Sequence, residues 1–317
     1  MTSKYFQSAC RMHAANAIAA AAPLAEAAGL QLVKRISEQT LSRTSSIRSI
    51  WCMSHNSHRD ELFLVECMED YSILLRTISL HSNSGDLQDV FTITERGTKP
   101  DVRSVCHMSD SVSLLVCYTE YPRNVETVIV DRAQHWLVAL SRRGNEWRET
   151  PCVQTERVGL MCCALADSRV LVGEWRSKYL EMFRVENGPR IAHVHRISVP
   201  EEYKRFTAIC INEVLIAMSF EKSQTIRVHR LDCDKLVELS RIQVNQPCDV
   251  LWLADRFFVT EWNADQKSHS VLELKLRDGL LEQSRELIHN SDSINVFQWC
   301  AVNNGLAIYD DNKKELL

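Results

Sequence analysis

Glycine is scarce in this chain, with 9 residues in 317. No P-loop, GxGxxG, GxSxG or HExxH pattern occurs, so the glycine-rich phosphate cradles, the nucleophile elbow and the zincin helix are excluded as motifs. No CxxC pair occurs either. The nearest metal-like grouping is Cys52, His55 and His58 with Cys67 further on, and it lacks zinc-site spacing. No run of 18 apolar residues is present, which removes a membrane-spanning helix. A basic excess is also missing. Lys plus Arg number 37 against 41 Asp plus Glu, a formal charge of -4. That balance argues against a nucleic-acid binder.

What remains is an ordinary globular composition, 45% apolar and 25% charged. The 12 cysteines lie mostly inside apolar runs, where a thiol packs as a small hydrophobe. A chain of this length builds its own core without a disulfide framework, so a reducing, cytoplasmic setting is expected, with the nucleus as an alternative. The first 29 residues differ from the rest. Ala14 to Ala28 are mostly alanine, and Lys4, Arg11 and His13 precede the first acid, Glu26. Two strong bases make a thin transit peptide, and alanine makes a weak signal core. Residues 1–29 are read as a helical or disordered segment and 30–317 as the folded domain.

An internal repeat organises that domain. LADSRVLVGEW (165–175) matches LADRFFVTEW (253–262) with one gap at Ser168. Trp175 and Trp262 stand 87 residues apart, and half of that is about 44, the length of one propeller blade. A unit between them is therefore expected, and VLIAMSF (214–220), TIRVHRL (225–231) and LVELSRIQV (236–244) supply it. Similar units precede, with LFLVEC (62–67) and SILLRTISL (72–80), then LLVCY (114–118) and VETVIVD (125–131). GLAIY (305–309) follows. Short Val-, Ile- and Leu-rich runs bounded by Asp, Asn, Gly and Ser are the strand signal. Helical periodicity of similar strength is absent after residue 30.

Six such units resemble a six-bladed β-propeller of WD40-like or quinoprotein-like architecture. The likeness is architectural. Serial Gly-His and Trp-Asp dipeptides are missing, as are the paired glycines of kelch repeats. The last unit lacks a strand, and LQLVKRIS (30–37) reads like the fourth strands of other units. The resemblance implies that residues 30–38 close the ring, which removes exposed strand edges. Cys52, Cys106, Cys162, Cys210 and Cys300 recur in the opening strand of their units, where a small side chain suits the converging centre.

The resemblance carries two functions. One is a non-catalytic platform or adaptor that binds a peptide or protein on one rim. The alternative is a lactonase-like hydrolase with a central calcium ion, for which Asn212, Glu213, Asp249 and Asn303 would be oxygen donors. Those four residue types also serve their own backbone in turns, and the platform is favoured. No cofactor is expected. Candidate partner-binding residues sit where second strands run into polar loops: Tyr118 and Glu120, Glu174, Trp175 and Arg176, Glu261 and Trp262, Tyr309 and Asp310. Aromatics among acids suit a hot spot for a basic peptide or protein, and a monomer outside such a complex is expected.

Overall fold

A computed structural model describes residues 47–56, 61–68, 72–80, 87–93, 98–108, 113–122, 134–143, 146–149, 153–155, 159–165, 168–174, 178–186, 190–199, 208–212, 215–220, 222–232, 235–253, 256–263, 268–291, 299–302, 305–310 and 315–316. Every regular element among them is a β-strand. The first sheet holds β1 (Ile47–Asn56), β2 (Glu61–Met68), β3 (Ile73–Ser79) and β4 (Leu87–Ile93), paired in that order. The second holds β5 (Thr98–His107), β6 (Ser113–Pro122) and β7 (Gln134–Arg143), with β8 (Glu146–Glu149) and β9 (Val153–Thr155) both paired to β7. The third holds β10 (Gly159–Ala164), β11 (Arg169–Glu174), β12 (Tyr179–Glu186) and β13 (Arg190–Ser198). The fourth holds β14 (Ala208–Asn212), β15 (Leu215–Phe220), β16 (Thr225–Asp232) and β17 (Lys235–Gln243). The fifth holds β18 (Pro247–Leu253), β19 (Arg256–Asn263), β20 (Ser268–Arg277) and β21 (Leu280–Ser291).

These are five blades of an all-β propeller. The expected count of six is corrected. The last unit forms a sheet of only three strands, β22 (Trp299–Val302), β23 (Gly305–Asp310) and β24 (Glu315–Leu316). Among the described residues β24 has two residues and no fourth strand pairs with it. The closing strand expected at 30–38 and the alanine-rich segment 1–29 lie outside the described residues. The first strands nonetheless run as a circle, β1 beside β5, then β10, β14, β18 and β22, with β22 beside β1. Cys52, Cys106, Cys162, Cys210 and Cys300 all fall on these inner strands. Cys106, Cys117 and Cys300 are buried, Cys52 and Cys248 half-buried, and all five are thiols rather than disulfides. Burial pushes the Cys300 thiol up to about 12, which makes it inert at neutral pH.

The second blade departs from the sequence reading. Its third strand is β7, not VETVIVD, and β8 and β9 both pair with β7 on its outer side.

Strand alternation gives each blade two apolar faces, and neighbouring blades share cores. Phe63, Val65, Ile73 and Leu75 of the first blade pack with Val105, Val116 and Val138 of the second. Leu180 and Met182 pack with Ile216 and Met218 across the third and fourth. Ile226 and Val228 pack with Phe257, Val259, Leu272 and Leu274 across the fourth and fifth. Outer strands repeat one device. Val90, Val194 and Leu239 are each an extra residue in the fourth strand, skipped by the ladder to the third. A bulge there twists the exposed edge away from further pairing. The exit of that strand is also pinned: Val199 N donates to Lys178 O at 2.6 Å, and Val244 N to Gln224 O at 2.8 Å. Among the described residues one hairpin uses glycine for its left-handed geometry. Asp278 and Gly279 both have positive φ, 50° and 81°, which suits a two-residue turn between β20 and β21.

Candidate functional site

Antiparallel succession puts the ends of all second strands on one rim, together with the links from each fourth strand to the next blade. The candidate residues within the described strands all reach that rim. Tyr118 and Glu120 lie in the last half of β6, and Glu174 ends β11. Glu261 and Trp262 lie near the end of β19, and Tyr309 and Asp310 end β23. Trp175 and Arg176 lie outside the described residues.

In the second blade the register assembles a compact group. Tyr118 is directly opposite Trp136, and Glu120 is opposite Gln134. Alternation therefore puts these four side chains on one face, the face whose inner part packs on the first blade. Trp136 Nε1 donates to Glu120 Oε2 at 3.1 Å along the diagonal of the pair. Tyr118, Glu120 and Trp136 are all half-buried. On the opposite face Thr119 and His135 are buried, with Thr119 Oγ1 3.1 Å from His135 Nδ1. A carboxylate is thus oriented by an indole beside a phenol ring, an arrangement suited to a guanidinium or ammonium group. Sequence reasoning missed Trp136 because it placed the third strand at 125–131. The signal that finds it is the aromatic register against Tyr118.

In the fifth blade Glu261 and Trp262 are half-buried, and Trp262 N donates to Gln246 O at 3.1 Å. That bond ties the rim strand to the link arriving from β17. The fourth blade differs. Phe220 ends β15 fully buried, with the Arg227 guanidinium 5.6 Å from its ring centre.

Of the four calcium-donor candidates, Asn212 and Asp249 lie within the described residues. Asp249 is buried in β18 and its Oδ1 accepts Val250 N–H at 2.8 Å. Its carboxylate serves backbone, as Asp commonly does. Glu213 and Asn303 lie outside the described residues, and Asn212 ends β14. Among the described residues no three His, Cys, Asp or Glu side chains gather as a metal site.

Besides the Cys300 thiol, one more described group is strongly shifted. His229 in β16 is buried, and burial pushes its pKa down from 6.5 to about 4; Glu238 raises it and Arg227 lowers it. The unfolded chain binds the proton more readily between these values, so stability falls as pH drops from 6.5 towards 4. A His229→Gln variant should melt with a flatter pH profile across that window. An unchanged slope would show that His229 is not the group responsible.

No family model and no curated protein matches the chain. Solved structures do match. A functionally unknown protein from Desulfotomaculum acetoxidans aligns with a TM-score of 0.58 at 10% identity, covering 84% of this chain and 81% of its own. The periplasmic gluconolactonase PpgL of Pseudomonas aeruginosa aligns at 0.55 and 12%, covering 83% and 79%. A chain of the mitotic checkpoint complex aligns at 0.52 and 12%, covering 90% of each. At these identities the likeness establishes the β-propeller fold and no chemistry.

Proposed function

We propose that this propeller is a non-catalytic interaction platform whose second-strand rim binds a cationic segment of a protein partner. The observation that carries it is the Tyr118–Trp136 pair with the Glu120 carboxylate held by the indole N–H. Half-buried aromatics offer large contact area at small entropy cost, and the carboxylate supplies the charge. Glu261 and Trp262 would extend the contact to the fifth blade.

The test uses a fluorescein-labelled Arg-rich peptide with the full chain. Glu120→Gln and Trp262→Ala should each stay within about 1 kcal/mol of the parent in a denaturant melt. Each should weaken the peptide by about tenfold, the range of a hot-spot truncation. A Trp262→Ala loss of stability comparable with a core residue, with peptide affinity unchanged, would show that this Trp is core. Unchanged affinity in both variants would remove the rim from the function.

A further inference from the structure

In the second blade β7 pairs with two short strands on its outer side. β8 takes Leu140 to Arg143, and β9 takes His135 to Leu137. β9 therefore lies at the rim end of β7, beside the Tyr118–Trp136 pair. Its middle residue, Gln154, stands directly opposite Trp136. One ladder row thus runs Val102, Tyr118, Trp136, Gln154 across β5, β6, β7 and β9. The next row towards the rim runs Pro100, Glu120, Gln134. Alternation puts both rows on one face of the blade. Val153 packs on the core shared with the third blade, so Gln154 faces the other way, towards the first.

These rows surround the indole with acceptors. Glu120 sits on its diagonal and takes the indole N–H on Oε2 at 3.1 Å. That bond fixes the ring plane and leaves Oε1 to a ligand. Gln134 lies two residues before Trp136 on the same strand, and Gln154 lies across the ladder. Both glutamines are exposed, while Trp136 and Glu120 are half-buried. Tyr118 packs against the core shared with the first blade, so it backs the row from the inside. Strand geometry spreads the acceptors apart. Same-face neighbours along a strand are about 6.6 Å apart, and direct cross-strand neighbours about 5 Å. Glu120 and Gln154 stand on opposite sides of Trp136, on its two flanking strands.

We infer that this face is an arginine site, in which a guanidinium lies flat on the Trp136 ring and its N–H edges reach Glu120 Oε1 and the side-chain carbonyls of Gln134 and Gln154. The inference rests on the proposed binding of a cationic segment at this rim, and it specifies which residue is read. A guanidinium is planar, weakly hydrated and carries a fork of in-plane donors, so it stacks and bonds at its periphery at once. A lysine ammonium gathers its donors on one compact, strongly hydrated nitrogen. It meets one acceptor on one side of the ring and leaves the others unmet. Tyr118 and Trp136 are neighbours on one sheet face, which makes a platform rather than a closed cage. A methylated ammonium is recognised by a cage of rings, so the platform favours the flat cation.

The test is anisotropy titration of the full chain with fluorescein-labelled Gly-Ser peptides of equal charge. They carry arginine, lysine or asymmetrically dimethylated arginine at the same positions. The arginine peptide should bind about tenfold tighter than the lysine peptide, the worth of a hydrogen bond to a charged group. Dimethylation keeps the charge and removes donors, and should weaken binding by about fivefold or more. Gln134→Ala with Gln154→Ala removes two acceptors at exposed positions, so the melt should be unchanged. That variant should bring the arginine peptide to within about twofold of the lysine peptide and leave the lysine peptide unaltered. Equal affinity for arginine and lysine, still lost in Glu120→Gln, overturns the arginine site and keeps the cationic rim. So does an arginine preference that survives the double glutamine variant. Binding of none of the peptides removes the rim reading, and the arginine site with it.

Discussion

Phe63→Ala should cost about 3–5 kcal/mol of unfolding free energy, the range for emptying an aromatic site in a core. Phe63 is fully buried in β2 and faces the second blade. The His107 ring stacks on it at 5.9 Å, and the Trp147 ring meets it edge-on at 5.5 Å. Both rings come from the second blade, so the truncation opens a void between blades that neither blade can collapse alone. The junction is further clamped. Arg142 Nη1 lies 2.9 Å from both carboxylate oxygens of Glu61, and its guanidinium lies 5.7 Å from the Trp147 ring centre. His107 N also donates to Ser54 Oγ at 3.0 Å across the same boundary. These fixed groups hold the void open, which places the cost towards the upper end of the range. Phe63→Leu should cost less, because it retains most of the volume. A guanidinium melt of the two variants reads both values. A loss below about 1 kcal/mol for Phe63→Ala would mean the blades do not depend on this contact.

How much of this was legible beforehand depended on which physical signal each feature uses. The propeller followed from apolar runs at a blade-length period, because each blade buries both faces and so repeats the same pattern. The inner strands were legible as short apolar runs opening each unit, five of them carrying a cysteine. The third strand of the second blade was misplaced because VETVIVD and QHWLVALSRR both read as strands, and only the ladder to Tyr118 and Val116 selects the second. The Arg142–Glu61 clamp joins residues 81 apart in sequence and has no local signature. Of the rim, the strand ends were readable from turns and polarity. The indole that orients Glu120 was not, since it comes from the neighbouring strand.

Arg76→Met should be as damaging as the aromatic truncation, about 3–5 kcal/mol, for an electrostatic reason. Arg76 and Glu66 are 2% and 0% exposed, and Arg76 Nη1 lies 3.2 Å from Glu66 Oε2. Losing the arginine leaves a buried carboxylate without its cation. Alternation puts both on the face of the first blade away from Phe63, Val65, Ile73 and Leu75. That face borders the three-stranded sheet, because β1 adjoins β5 on one side and β22 on the other. The fifth blade mirrors it. Glu273 is fully buried on the face away from Leu272 and Leu274, paired with Arg256 at 3.1 Å and Lys275 at 3.6 Å. A buried carboxylate paired with a base therefore lies on each of the two faces that flank the three-stranded sheet. Such pairs contribute little net stability against apolar residues of like volume, but one member alone is severely destabilising. Arg76→Met combined with Glu66→Leu should accordingly return to within about 1 kcal/mol of the parent, a coupling that the double-mutant cycle measures. A double variant as unstable as Arg76→Met alone would show that the arginine acts through packing rather than through the charge it neutralises.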